Sequence, residues 1–178
     1  MDCFDRCIAI VIDTEGGFTN NPADPGNWTG GYIGGGACRG TKFGISAAAY
    51  PDLAISALTL GQAKALYRHD YWDKVAGDHL PQSLALLVFD AAVNNGLHHA
   101  AVWLQQAAGT HADGVIGPVT LEAVADAAAR PEGTAALCSE FLACRLLFMT
   151  ALVTWPAFKA GWTRRLFRLP YQSSAFDK

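Results

Sequence analysis

The sequence has few charged residues and no long apolar run. Asp, Glu, Lys and Arg make up 16% of its 178 residues, the formal net charge is −3, and 51% of the residues are hydrophobic. This composition excludes an intrinsically disordered chain. Glu140 and Arg145 interrupt the most apolar stretch, residues 134–155, so no segment approaches the roughly 20 apolar residues that cross a bilayer. We expect one globular domain, or two tightly fused small ones, without membrane insertion.

Cysteines and histidines are also few, and their spacing argues against the common metal and thiol sites. The five cysteines are an odd number without a CxxC pair, so free and mostly buried thiols are expected. The five histidines show no HExxH spacing, which disfavours a zinc amidase or endopeptidase. Cys38 is the one thiol placed like a nucleophile, but the helical character of the chain disfavours a cysteine peptidase. No cofactor or metal is expected.

The N-terminus lacks the features of a secretory signal. Asp2 and Asp5 precede a six-residue apolar run, whereas a signal peptide needs a basic start and a longer apolar segment. We therefore expect synthesis in the cytoplasm, and action outside it only after another route of export.

Basic residues are concentrated at the C-terminal end. Residues 1–139 hold 7 basic and 14 acidic side chains, whereas residues 140–178 hold 6 basic and 2 acidic ones. Lys159, Arg164, Arg165 and Arg168 are spaced so that several share one helix face. That face is either simply solvated or contacts an anionic polymer such as the bacterial cell wall. Overall acidity and the lack of a nucleic-acid-binding module argue against nucleic acid.

Helical patterns dominate the chain. An apolar stripe from Phe4 to Ile12 predicts an amphipathic helix that Gly16 and Gly17 end. Thr59 and Gln62 form a capping box before a helix that runs to about Trp72. Further helices are predicted over residues 81–95, 98–108, 118–129, 134–153 and 156–169. Sustained alternating runs are absent, which indicates an all-α or α-dominated fold.

Residues 18–44 have a different character. They contain eight glycines and two prolines, which predict a long loop that could include a short hairpin around residues 28–33. A loop of this length inside a compact domain is usually functional or disordered. Trp28 and Tyr32 are its candidates for stacking on a ligand, because loops expose the side chains that they carry.

Glu15 is the one glutamate in the first 121 residues, and it continues the apolar stripe of the first helix. Partial desolvation and the negative end of the helix dipole would favour its protonated form, as a glycosidase general acid requires. The alternative is an exposed glutamate at a frayed helix end. Asp24 and Thr41 follow in the loop and could bracket a sugar and a water, although Asp24 alone is more often a turn-forming cap.

Three further side chains are candidates for substrate binding. Asp90 and Asn94 stand four residues apart on one helix face, where they would either hydrogen-bond sugar groups or cap a neighbouring loop. Tyr71 would either stack on a sugar ring or belong to the core.

Several segments in order resemble a known family. The chain resembles glycoside hydrolase family 108, the phage-type endolysins and related lysozyme-like muramidases. The matching segments are Glu15-Gly16-Gly17-Phe18, Asp24-Pro25-Gly26, Thr41-Lys42-Phe43-Gly44-Ile45-Ser46, Tyr71-Trp72-Asp73 and Phe89-Asp90-Ala91-Ala92-Val93-Asn94. Trp103-Leu104-Gln105-Gln106 and Asp113-Gly114-Val115-Ile116-Gly117-Pro118-Val119-Thr120 resemble the peptidoglycan-binding region that accompanies that domain.

The resemblance implies a lysozyme-like helical fold that hydrolyses the β-1,4 bond between N-acetylmuramic acid and N-acetylglucosamine in peptidoglycan. It implies Glu15 as the general acid and, by analogy with a neighbouring lysozyme family, Asp24 and Thr41 as the residues that hold the water. Residues 1–97 would be catalytic, and residues 98–178 would bind peptidoglycan as part of one compact unit. We expect a monomer that reaches the wall through a holin or a dedicated export machine.

Two alternatives remain open. A lytic transglycosylase acts on the same bond and needs only one carboxylate, whereas a noncatalytic wall-binding or secretion accessory protein would keep the fold alone. The chain also departs from the family at residues 27–40, which stand between segments that usually follow each other directly. This insertion could shape the sugar cleft or act as a lid.

Overall fold

A computed structural model describes residues 2–12, 17–173 and 176 of the chain. The chain divides into two compact units, Met1–His69 and Asp70–Lys178. The described part contains seven α-helices and one antiparallel pair of two-residue strands, so the α-dominated class is confirmed. These elements are α1 (Cys3–Val11), β1 (Thr41–Lys42), β2 (Ile45–Ser46), α2 (Leu60–Tyr67), α3 (Gln82–Asn95), α4 (Leu97–Ala107), α5 (Pro118–Ala128), α6 (Gly133–Thr150) and α7 (Trp155–Ser173).

Helix α1 forms where the apolar stripe predicts it, but it ends early. The Asp2 side chain caps it by accepting the backbone N–H of Asp5, and its apolar face is buried. The helix ends at Val11 because Ile12 is extended, with φ −76° and ψ 114°. The prediction that this helix runs on to Gly16 is therefore wrong. Glu15 lies outside the described residues.

Helix α2 is tied to α1 by ion pairs. Its predicted capping box is confirmed, since Thr59 and Gln62 exchange side-chain and backbone hydrogen bonds. Lys64 Nζ lies 2.7 Å from the Asp5 carboxylate, and Arg68 pairs with Asp2 at 3.4 Å. A π-helical turn, Arg68–Trp72, continues α2 to the predicted end.

The two strands join through a tight turn whose residues explain its place. Phe43 and Gly44 both have positive φ, 53° and 76°, as a two-residue hairpin turn of the primed type requires. The Tyr67 hydroxyl donates to the Phe43 carbonyl at 3.2 Å and holds this turn. The regular strands therefore lie at residues 41–46, after the region where the sequence suggested a hairpin.

Helix α3 is the centre of the second unit. Ten of its 14 residues are buried, and it packs against α4, α6 and α7. Gly96 ends it with a φ of 91°, as predicted. The residues predicted to face inward are all buried: Leu84, Leu87, Val88, Ala91 and Ala92.

Helix α6 is the one described helix whose length and composition would let it cross a membrane. The sequence had argued against any such segment because of Glu140 and Arg145. In the structure α6 packs against α3, α4, α5 and α7, and its buried face carries an arginine beside apolar residues. Five of its 18 residues are buried, so packing within the described residues covers only part of this helix.

The cysteines are free thiols, as predicted, but they are less buried than expected. Cys7 is buried, whereas the other four are partly exposed. Cys3 and Cys7 lie one helical turn apart with their sulfurs at 4.0 Å, and the contact with Cys3 raises the pKa of Cys7. Within the described ranges, no cluster of three His, Cys, Asp or Glu side chains could hold a metal ion.

In the first unit, an added methyl group at Gly40 should destabilise the fold strongly. Its φ is +86°, and a Cβ would clash with the Thr19 carbonyl and the Phe18 ring. We expect Gly40→Ala to lower the free energy of unfolding by about 2 kcal/mol or more in chemical denaturation.

The matched control is Gly61→Ala, because Gly61 lies in α2 with open space around its Cα. Alanine favours helix, so this variant should be as stable as the wild type or slightly more stable. Equal stabilities for the two variants would contradict the described backbone at Gly40.

Candidate active site

A buried asparagine organises the glycine-rich loop of the first unit. Asn27 is fully buried, and its side-chain Nδ2 donates to the Asn21 carbonyl at 3.0 Å. Its Oδ1 accepts a hydrogen bond of 2.7 Å from the Thr41 hydroxyl. Because both its nitrogen and its oxygen form hydrogen bonds, the buried amide avoids the cost of an unpaired polar group. Asn27 thus joins the start of the loop to its end.

Thr41 has a fixed orientation. Its backbone exchanges two hydrogen bonds with Thr19, of 2.7 and 2.9 Å, and the side chain is partly buried. Because the hydroxyl proton is donated to Asn27, the remaining Oγ1 lone pairs can only accept hydrogen bonds. The site therefore offers an acceptor of defined direction.

Asp24 is held by the short 3₁₀ helix that it caps, Pro25–Asn27. Its Oδ1 accepts the Gly26 N–H at 2.9 Å, which is the turn-capping role that the sequence weighed against catalysis. The side chain is nevertheless exposed, and among the described residues Oδ2 has no hydrogen-bond partner. The Asp24 carbonyl accepts the Asn27 N–H at 3.1 Å. Asp24 and Thr41 are therefore linked through one residue, Asn27.

The insertion at residues 27–40 leaves and rejoins the chain at the same point. The Asn27 carbonyl accepts the N–H groups of Arg39 and Gly40, at 2.8 and 3.1 Å. Trp28 pairs with Cys38, and Gly30 donates to Gly35 at 2.9 Å. The hairpin of this segment thus has arms at residues 28–30 and 35–38 rather than within 28–33. Its closure brings residue 41 back beside residue 27.

The two aromatic residues of the insertion occupy different environments. The Trp28 indole N–H donates to the Pro22 carbonyl at 2.9 Å, so this ring is anchored to the loop. Tyr32 lies near the tip, 66% exposed, with its ring against Gly35. Tyr32 is thus the more accessible of the two predicted stacking residues.

In the second unit, the candidate sugar ligand Asp90 is buried instead. Asp90 has 0% exposure, and Arg145, itself 1% exposed, donates to its Oδ2 at 2.7 Å. Arg165 donates from Nε to Oδ1 at 2.8 Å, and Arg145 also donates to Asn95 Oδ1 at 2.9 Å. The prediction that Asp90 hydrogen-bonds a sugar is corrected, because both of its oxygens serve an internal ion-pair cluster.

The other two candidates of this unit are more accessible. Asn94 is exposed and donates from Nδ2 to the Asp90 carbonyl at 2.7 Å, one helical turn earlier. Tyr71 is partly buried, and desolvation raises the pKa of its hydroxyl. The neighbouring Trp72 is a core residue with its ring edge-on to Phe89.

Gln105 organises the turn of the predicted peptidoglycan-binding region. Its Nε2 donates to Asp113 Oδ1 at 2.7 Å, to the Val115 carbonyl and to the Thr120 hydroxyl, and its Oε1 accepts the Gly114 N–H. The bond from Gln105 lowers the pKa of Asp113. The segment that resembles the peptidoglycan-binding motif is therefore a turn held by the buried Gln105 amide.

Comparison with known proteins identifies the family. The model described as glycosyl hydrolase 108 matches residues 8–96, and one described as a predicted peptidoglycan domain matches residues 99–167. The solved structure of SagA from Brucella abortus is 32% identical with a TM-score of 0.77, covering 98% of this chain and 95% of that chain. The chain belongs to the glycosyl hydrolase 108 family. No curated protein matches it.

Membership of the glycosyl hydrolase 108 family makes the chain a glycoside hydrolase, and the second match identifies peptidoglycan as its target. The two matches meet near residue 97, whereas the compact units divide after His69. The divisions differ because α3 lies within the glycosyl hydrolase 108 match but packs on helices of the second unit.

Sequence reasoning missed three organising side chains. Asn27 was noted as the first residue of the insertion, and nothing in its neighbourhood signalled a buried amide. Arg145 did carry a signal, because a lone arginine inside an apolar helix needs a buried acid. Arg165 was assigned to the basic face, although its guanidinium reaches Asp90.

We expect Asp90→Asn to destabilise the second unit strongly. The substitution leaves the buried Arg145 guanidinium without its counter-charge, which should lower the free energy of unfolding by about 3–5 kcal/mol. Denaturant titration followed by circular dichroism would measure the loss.

Asp5→Asn is the matched control, since the Asp5–Lys64 pair is partly exposed to solvent. Hydrogen bonding to Lys64 lowers the pKa of Asp5, yet a solvated pair of this kind contributes little to stability. Similar losses for the two variants would contradict the internal role of Asp90.

Proposed function

We propose that this glycosyl hydrolase 108 protein is an N-acetylmuramidase. It hydrolyses the β-1,4 bond between N-acetylmuramic acid and N-acetylglucosamine in the glycan strands. The observation that carries the proposal is the hydrogen-bonded arrangement of Asp24, Asn27 and Thr41 in the loop that follows Glu15.

In the proposed reaction Glu15 protonates the leaving glycosidic oxygen. A water held by Asp24 and Thr41 adds to the anomeric carbon. Thr41 Oγ1 accepts a hydrogen bond from this water because its own proton is engaged by Asn27. Asp24 Oδ2 takes the proton that the water loses, while Oδ1 stays bonded to the Gly26 N–H. Asn27 acts as a positioning residue for both groups.

We assign the substrate-binding roles by how far each candidate side chain is exposed to solvent. The Tyr32 ring stacks on a sugar ring, and Trp28 supports the insertion that carries it. Tyr71 and Asn94 offer a hydroxyl and an amide for sugar contacts. Asp90 contributes through the helices that it holds, without touching the sugar.

Hydrolysis is preferred to intramolecular transglycosylation on one ground. A lytic transglycosylase uses the substrate's own 6-hydroxyl as nucleophile, so it has no need for a site that holds water. The oriented acceptor of Thr41, linked through Asn27 to the residue that carries an exposed carboxylate, fits a water nucleophile.

Product analysis tests the bond and the acid together. Mass spectrometry of fragments released from purified peptidoglycan should show reducing N-acetylmuramic acid ends. Glu15→Gln should slow their release by at least about a hundredfold, because the leaving group loses its proton donor.

Four results would contradict the proposal. Anhydro ends would indicate a transglycosylase, and reducing N-acetylglucosamine ends would indicate cleavage of the other glycosidic bond. An undiminished rate for Glu15→Gln would remove Glu15 from the role of general acid. The absence of fragments from the wild type would favour the accessory protein.

The role of the Thr41 hydroxyl has its own test. We expect Thr41→Val to lower kcat by about tenfold or more, because the attacking water loses an acceptor, while Thr41→Ser keeps most of the activity. Thr41→Val also leaves buried Asn27 Oδ1 unpaired, at about 1–3 kcal/mol of stability, so rates are compared well below both melting temperatures. Equal kcat for the valine and serine variants would contradict this role.

A further inference from the structure

The C-terminal part of the chain has a charge of one sign. From residue 141 to residue 176 the sequence contains five basic residues and no acidic one. Two of the five, Arg145 and Arg165, are engaged by Asp90. The other three, Lys159, Arg164 and Arg168, lie on α7 and are exposed. Helix α7 therefore presents positive charge to solvent, and no acidic residue between residues 141 and 176 offsets that charge.

Large aromatic side chains lie beside these charges. Phe167 is 76% exposed and Tyr171 is 85% exposed, and they stand four residues apart on the same face as Arg164 and Arg168. These four side chains line an open depression of about 830 Å³ together with Trp155, Lys159, Ala160 and Thr163. We call Arg164, Phe167, Arg168 and Tyr171 the α7 face.

The first two turns of α7 extend this character. Residues 156–161 are all exposed, so every side of this stretch faces solvent. Phe158 stacks on Trp162 with ring centres 5.6 Å apart, and Trp155 approaches Trp162 at 6.0 Å. The opposite side of the helix carries the buried Leu166 and Leu169. The helix is thus anchored by one side and displays aromatic and basic residues on the other.

The chemistry of the α7 face suits a lipid interface better than a glycan. Sugar sites combine an aromatic platform with amide and carboxylate side chains that bond hydroxyl groups, whereas none of the described residues that line this depression carries an amide or a carboxylate side chain. Tryptophan, tyrosine, phenylalanine, lysine and arginine are the residues that helices use in the headgroup region of a bilayer. Basic side chains there are attracted by anionic headgroups.

We propose that α7 binds the surface of a bilayer rich in anionic phospholipid. Phe167 and Tyr171 enter the headgroup and acyl boundary, and Arg164 and Arg168 contact phosphate groups. This is association with the membrane surface, without a spanning segment. It would hold a peptidoglycan hydrolase beside the membrane that the wall surrounds. The proposal is independent of which glycosidic bond the protein cleaves.

Vesicle flotation with the full chain tests it directly. The wild type should float with vesicles of phosphatidylglycerol and phosphatidylethanolamine, and stay behind with vesicles of phosphatidylcholine alone. Added salt should weaken the binding, because it screens the headgroup charge. Arg164→Gln and Arg168→Gln should each weaken binding about fivefold. Phe167→Ser combined with Tyr171→Ser should weaken it at least tenfold.

Matched controls come from exposed residues elsewhere. Val115→Ser with Val119→Ser removes two exposed apolar side chains, and Lys74→Gln with Arg130→Gln removes two exposed charges. Both double variants should float like the wild type. Circular dichroism should be unchanged in every variant, because all of the substituted side chains are exposed.

Four outcomes would overturn the proposal. One is failure of the wild type to float with anionic vesicles, and another is equal binding to phosphatidylcholine. A third is equal losses in the controls. The fourth is that the α7 variants lose sedimentation with purified peptidoglycan while vesicle binding stays unchanged, which would assign the α7 face to the wall.

Discussion

A buried carboxylate that binds two arginines holds the second unit together. Asp90 lies on α3, Arg145 on α6 and Arg165 on α7, so one acid fastens three helices. A charged side chain that is shielded from water is costly unless an opposite charge pairs with it. The three helices can therefore bury these charges only when they pack together in this arrangement. The direction in which α7 faces solvent follows from this cluster, because Arg165 points inward and its neighbours Arg164 and Arg168 therefore point outward.

The first unit uses a neutral version of the same device. Asn27 has no charge, but its amide and backbone join Asn21, Thr41 and both ends of the insertion. A loop with eight glycines would lose much conformational entropy on ordering, and a few strong local hydrogen bonds offset part of that loss. In both units the organising residue is polar and buried.

Local patterns allowed much of the fold to be predicted. The capping box at Thr59, the apolar face of α3 and the glycine after Asn95 depend on neighbours in the sequence, and the structure agrees with each. The end of α1 was misjudged, because the apolar stripe continues through Ile12 while the backbone does not. The partners of Asp90 are 55 and 75 residues away, and no local pattern pairs them. The linkage of Asp24 to Thr41 depended likewise on a contact across 14 residues.

The closure of the insertion at Asn27 has a consequence for how this family can vary. Since the segment departs and returns through hydrogen bonds to one residue, its two ends are adjacent whatever lies between them. The number and kind of residues in the insertion can therefore change while Asp24 and Thr41 stay linked through Asn27.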